Sequence, residues 1–132
     1  MIRRVYRWVD HTAELELEIE AETAEEVVRE AARALAELLG EGEPAGTRAV
    51  EVEAGDRAAL LAAFVEELVY LAESEQLVPR AVNDVELRPG RLRAHVELGR
   101  GDPPHLVKAV TYHRLAFEPH EHGYRARAVL DV

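Results

Sequence analysis

The feature that most constrains the fold is a strict alternation of glutamate with aliphatic residues over residues 14–20. Leu15, Leu17 and Ile19 occupy every second position, and glutamates occupy the positions between them. Successive side chains of a β-strand point to opposite faces, so this period of two predicts a strand with one buried face and one solvated face. The rest of the chain must therefore supply elements that cover the buried face.

Two later segments have the helical spacing of apolar residues that such a cover requires. The first is predicted to begin at a capping box formed by Thr23 and Glu26, and to end at an αL cap at Gly40. The second has Asp56 as its predicted N-cap and runs for about five turns. Both helices are expected to pack on one face of the sheet.

The remaining segments predict strands, turns and a loop. Pro89-Gly90 separates two alternating runs and predicts a hairpin turn, and residues 41–46, with two glycines and a proline, predict a loop. Predicted strands occupy residues 5–9, 14–20, 47–53, 80–88, 91–98, 115–117 and 124–132. The order β-β-α-β-α-β-β-β-β predicts an α+β fold, a single compact domain over residues 1–132 in which mostly antiparallel sheet is covered by two helices.

Composition excludes several kinds of site and partner. The chain has no cysteine, which excludes disulfides, thiolate metal sites and thiol catalysis, and leaves oxygen and imidazole as metal ligands. The formal charge of −10 argues against extensive direct binding of nucleic acid, because phosphate contacts need clustered lysine and arginine. A protein partner with a basic face, or a bound cation, fits this charge better. The apolar runs are too short to span a membrane and the start of the chain has no signal-peptide pattern, so a cytoplasmic protein is expected.

Two segments from opposite ends of the chain could form a small site for a hard cation. Asp10 opens the turn 10–13 between the first two predicted strands, and Asp131 precedes Val132 at the end of the last one. If the last strand is held in the sheet to its end, two side-chain carboxylates and the terminal carboxylate come together. Like charges that close must be offset by a cation, an arginine or protonation.

Each of these aspartates also has an ordinary structural role. An aspartate in a turn commonly bonds to its local backbone, as Asp10 would in an Asx-turn. Asp131 would pair with Arg125 or Arg127 if the end of the chain were loose. The residues alone leave both alternatives open.

No catalytic residue is predicted. The run from Lys108 to His113 contains groups suited to acid–base chemistry, but spacing identifies no nucleophile with a partner. The segment His120-Glu121-His122 lies in a predicted turn, where residues i and i+2 diverge and no further soft ligand is near, so a transition-metal clip is discounted.

Three segments taken together resemble the archease family, namely Asp10-His11-Thr12-Ala13, Lys108-Ala109-Val110-Thr111-Tyr112-His113 and Asp131-Val132. The apolar run Leu68-Val69-Tyr70-Leu71, late in the second predicted helix, fits as well. The resemblance covers essentially the whole chain. Two departures stand out, because Arg114 occupies a position where glycine or another small residue is common, and the loop from Gly99 to His105 looks short.

The resemblance implies an accessory protein rather than an enzyme. Archeases activate the tRNA-splicing RNA ligase, which joins a 3′-phosphate or cyclic phosphate end to a 5′-hydroxyl using GTP and a metal. They promote formation of the ligase–GMP intermediate and allow repeated turnover. They also bind a metal ion, seen as calcium, whose ligands here would be Asp10, Asp131 and Val132, the last through its terminal carboxylate or backbone oxygen.

General chemistry agrees with that implied ligand set. Three anionic oxygen ligands suit calcium better than magnesium, which usually keeps several waters. His11 and Lys108 also match family positions, and neither is assigned a role.

Two other functions stay open. A general protein-interaction or chaperone-like module would be indifferent to the loss of Asp10 or Asp131. A small metal-dependent hydrolase using Asp10 and His11 would show phosphatase or nuclease turnover.

Overall fold

The computed structural model describes residues 5–11, 13–40, 42–104 and 107–132, and for His11 only the main chain. Its elements follow the predicted order of strands and helices. They are β1 (Val5–His11), β2 (Glu14–Ala21), α1 (Ala24–Leu39), β3 (Glu43–Glu53), α2 (Arg57–Glu75), β4 (Leu77–Arg88), β5 (Arg91–Arg100), β6 (Ala109–His120) and β7 (Gly123–Asp131). The predicted α+β class is confirmed.

The strands form two antiparallel sheets. The larger sheet has the order β1-β2-β7-β6, and the smaller has the order β3-β5-β4. Helix α1 contacts β1, β2 and β7 of the larger sheet and β4 of the smaller, and α2 likewise contacts strands of both. The apolar sides of both helices therefore close one core against the inner faces of two sheets.

The alternation that predicted β2 is reproduced in the burial of its side chains. Leu17 and Ile19 are fully buried, 0% and 1% exposed, and lie on the inner face that meets the helices. Glu16 is an exception on the outer face, because only 8% of it is exposed. A carboxylate this buried needs charged partners, and two arginines supply them as described below.

Both predicted helix starts are confirmed by capping hydrogen bonds. The Glu26 N–H donates to Thr23 Oγ1 at 3.1 Å, and the Ala59 N–H donates to Asp56 Oδ1 at 2.8 Å. At the other end of α1, Gly40 has φ 92° and ψ 163°. The helix ends where it was predicted to end, but this ψ lies outside the αL region, so the prediction of an αL cap was wrong.

The predicted turn at Pro89-Gly90 agrees with the structure, and the predicted loop at 41–46 does not. Gly90 has φ 78°, as expected for the third residue of a type II turn with Pro89 before it. The loop prediction for 41–46 was wrong for residues 43–46, because β3 begins at Glu43 and accommodates the proline and glycine through a register shift between Pro44 and Thr47. Residue 41 lies outside the described part of the chain. Among the described residues, no helix is long and apolar enough to cross a membrane.

Candidate functional site at one end of the larger sheet

The end of the chain lies against the first turn. Strand β2 pairs with β1 on one side and with β7 on the other, and Glu14 is opposite His11 in β1 and opposite Asp131 in β7. Past the strand, the Val132 N–H donates to the Ala13 carbonyl at 3.1 Å. The last strand is thus held in the sheet to its end, which is one of the two alternatives that the sequence left open, and the alternative of a loose end does not hold.

The segment before β6 joins the same corner. The Lys108 N–H donates to the Asp131 carbonyl at 2.8 Å, and Ala109 is paired with Asp131. The side chain of Lys108 is exposed. All three segments that carry the resemblance therefore meet at one end of the larger sheet, although Thr12 and the His11 side chain lie outside the described atoms.

The register divides the predicted ligands between the two faces of the sheet. Directly paired residues of an antiparallel sheet place their side chains on the same face. Asp10 is paired with Leu15, which is paired with the buried Leu130, so Asp10 lies at the rim of the inner face. Asp131 is paired with Glu14, so its side chain lies on the outer face at the end of β7. The three predicted ligands can share one ion only beyond the end of β7, where Val132 lies.

The donor chemistry at this corner fits a hard divalent cation. Within the described part of the chain, no three side chains of histidine, cysteine, aspartate or glutamate come together as a metal site. The predicted set contains only two side chains, because its third member is a main-chain or terminal oxygen of Val132. Every donor in that set is oxygen, which is the preference of calcium and magnesium.

The arginines that could have neutralised Asp131 form ion pairs with glutamates instead. Arg125 bonds to Glu118 at 2.9 Å, and Arg127 Nε lies 3.5 Å from Glu16 Oε2. In the described chain neither arginine pairs with Asp131. The predicted alternative of an Asp131–arginine pair is therefore not observed.

A third arginine reaches this end of the sheet from β6. Arg114 Nη2 lies 3.4 Å from Glu14 Oε1, and Arg114 Nε lies 3.3 Å from Glu16 Oε1. Since β7 lies between β6 and β2, the Arg114 side chain crosses β7 to make these contacts. This group of Glu14, Glu16, Arg114 and Arg127 was missed at the sequence level. The alternating glutamates of β2 were visible there, but only the register shows which arginines stand beside them.

Two further features mark the turn. Ala13 has φ 60°, a left-handed conformation that disfavours a residue with a Cβ, and its carbonyl accepts the bond from the Val132 N–H.

Trp8, the only tryptophan in the sequence, is two residues before Asp10 on the same face of β1. Its buried Nε1 has no hydrogen-bond partner among the residues that the structure describes. Trp8 is therefore a natural fluorescent reporter of events at Asp10.

Comparison with known proteins gives a consistent result. The family model described as Archease protein family (MTH1598/TM1083) matches residues 6–132. The protein archease of Pyrobaculum calidifontis is 32% identical over 139 residues, an alignment that covers 96% of this chain and 95% of that protein. The protein archease of Pyrobaculum neutrophilum is 30% identical with the same coverage.

Two solved structures have the same fold. The solution structure of Methanobacterium thermoautotrophicum protein 1598 has a TM-score of 0.73 at 24% identity and covers 96% of this chain and 98% of its own. A crystal structure from Thermotoga maritima, described as an archease and possible chaperone, has a TM-score of 0.69 at 22% identity and covers 98% of this chain and 99% of its own. From the family model and the two relatives, we conclude that this chain belongs to the archease family.

Proposed function

We propose that this chain is a metal-binding activator of a tRNA-splicing RNA ligase, with no turnover of its own. It would promote formation of the ligase–GMP intermediate and repeated turnover in tRNA splicing, in the cytoplasm. Membership of the archease family supports the proposal. The observation that carries it for this chain is the meeting of the first turn, the Lys108 segment and the chain end at one corner.

The metal belongs at that corner. Asp10, Asp131 and an oxygen of Val132 would hold a divalent ion, calcium by the chemistry of the donor set. The ion would supply a fixed positive charge among carboxylates. The hydrogen bond from the Val132 N–H to the Ala13 carbonyl holds the turn beside the strand end, so the main chain of the three residues would need little movement to reach a shared ion.

A chaperone-like module is the second candidate, since the Thermotoga maritima relative is described as a possible chaperone. Holding unfolded chains needs a contiguous apolar surface. Among the described residues, the large hydrophobic side chains that are exposed are Val5, Tyr70 and Tyr112. This small set favours an activator with a specific partner.

The experiment is a guanylylation assay with the RNA ligase from the same organism, GTP and calcium. The wild-type chain at substoichiometric amounts should accelerate formation of ligase–GMP. Asp10→Asn should lose the acceleration while keeping its circular dichroism spectrum, and Asp102→Asn, a change at an exposed aspartate in the loop after β5, should keep it. No acceleration by the wild type, or an Asp10→Asn chain as active as the wild type, would refute the proposal.

A further inference from the structure

Strand β6 forms an edge of the larger sheet and is interrupted by a large bulge. Thr111 is paired with Val129, and the next residue pair along the strands is Ala116 with Arg127, so residues 112–115 stand opposite Ala128 alone. These residues, called the β6 bulge below, leave the regular ladder. A bulge at a sheet edge hinders the addition of another strand, so a partner that approaches here meets side chains.

The bulge is held in one conformation. Arg114 has φ 60°, a left-handed conformation that is unfavourable for a residue with a Cβ. Its ion pairs with Glu14 and Glu16 oppose this cost by tying the bulge to β2. Val129 lies on the same face as Glu16 and is fully buried, which shows that the outer face is covered where Arg114 crosses β7. The His113 N–H also donates to Thr111 Oγ1 at 3.1 Å.

The bulge presents an exposed aromatic ring, and an exposed lysine precedes it in the chain. Tyr112 is 60% exposed, and tyrosine is among the residues that contribute most to protein interfaces. The longest run of the sequence without aspartate or glutamate extends from residue 103 to 117, and its basic residues are Lys108 and Arg114. Arg114 is paired with Glu14 and Glu16, whereas the Lys108 side chain is exposed and is the positive charge that an acidic rim on a partner would meet.

We propose that the β6 bulge is the element by which this chain docks on its ligase, with Tyr112 entering an apolar slot that has an acidic rim. The inference rests on the proposed function, because it names the contact surface for that partner. RNA is the wrong partner for this surface, since phosphate binding needs clustered cations and Arg114 is already bonded to two carboxylates. The bulge follows closely on Lys108, whose N–H bonds to Asp131. Docking through the bulge would therefore bring the proposed metal site to the ligase.

The structure offers a matched control, because Tyr70 on α2 is 59% exposed. Binding of the full-length ligase is measured by titration calorimetry, with guanylylation of the same samples measured in parallel. Tyr112→Ala should raise the Kd by at least about tenfold, as expected for a central aromatic contact, and Tyr70→Ala should change it by less than about twofold. Tyr112→Gln is measured alongside, and thermal unfolding establishes that each variant is folded.

The outcomes separate the inference from the function. A wild-type chain that accelerates guanylylation, with both Tyr112 variants binding as tightly as Tyr70→Ala, overturns the docking element and leaves the proposed function standing. A wild-type chain that neither binds nor accelerates the ligase overturns both. Binding of tRNA alone that both Tyr112 variants abolish overturns the choice of a protein partner.

Discussion

At the scale of single residues, Ala13 is the clearest case of strain at the proposed site. Its φ of 60° is unfavourable for alanine, and it is the residue that accepts the bond from Val132. Glycine tolerates this conformation freely. Strained backbone positions cluster at functional sites, which agrees with the place of this turn beside Asp10.

We therefore expect Ala13→Gly to stabilise the chain by about 0.5–1 kcal/mol, because the relief of strain exceeds the extra entropy that glycine loses on folding. Chemical denaturation measures the change. Ala49→Gly is the control, since Ala49 is an exposed strand residue without a positive φ and should lose stability by about 0.5–1 kcal/mol. Equal losses in the two variants would show that the turn is not strained.

Tyr6 gives a prediction about pH. Its hydroxyl donates to the Glu37 carboxylate, and this hydrogen bond, with a smaller contribution from burial, raises the pKa of Tyr6 to about 12 from a usual value of 10.0. The raised pKa stabilises the folded state in full below pH 10, and this contribution is lost as the pH rises from 10 towards 12.

Ultraviolet absorbance of phenolate should therefore show one tyrosine that ionises near pH 12. Tyr6→Phe should remove that late transition, and Glu37→Gln should move it to lower pH by taking away the carboxylate acceptor. A late transition that persists in Tyr6→Phe would assign the raised pKa to another tyrosine.

At the scale of elements, β6 shows how one side chain can hold an irregular strand. Arg114 combines a positive φ with ion pairs to Glu14 and Glu16 on a strand two places away in the sheet. Partly exposed ion pairs contribute about 0.2–1 kcal/mol each, which is close to the cost of the backbone conformation. Glycine, one of the residues that the sequence analysis expects at this position, would adopt the positive φ without strain.

The two effects can be separated by a pair of substitutions. Arg114→Ala should destabilise the chain by about 1 kcal/mol, because it removes the ion pairs and keeps the strain. Arg114→Gly should be more stable than Arg114→Ala by about 1 kcal/mol, since glycine removes the strain as well. This order is the reverse of that found in an ordinary strand, and an alanine variant as stable as the glycine variant would contradict the strained conformation.

At the scale of the whole molecule, local sequence patterns predicted the helices and strands. The grouping of strands into two sheets, and the face on which each side chain lies, depend on long-range strand pairing. The alternation in residues 14–20 and the caps at Thr23 and Asp56 are local signals, and all three were confirmed. The division into two sheets and the bulge in β6 depend on which strands pair, and no local pattern encodes that.

The candidate site shows the same division. The family resemblance suggested its residues, and the structure decides between the two alternatives that the sequence left open for the chain end, because Val132 bonds to Ala13 in the first turn. The assignment of Asp10 and Asp131 to opposite faces follows only from the register, and the place of Arg114 beside Glu14 and Glu16 follows only from the folded structure. A metal shared by these ligands would have to lie past the end of β7, which makes metal binding the property that most depends on the fold as a whole.

A calcium titration by calorimetry, followed in parallel by Trp8 fluorescence, is the most direct test of the proposed metal site at Asp10, Asp131 and Val132. The wild-type chain should bind one calcium ion with a change in the Trp8 signal. Asp10→Asn and Asp131→Asn should each weaken binding by at least about tenfold through loss of a charged ligand, and Asp102→Asn should leave it unchanged. A wild-type chain that binds no calcium, or an Asp10→Asn chain that binds it as tightly as the wild type, would contradict the account.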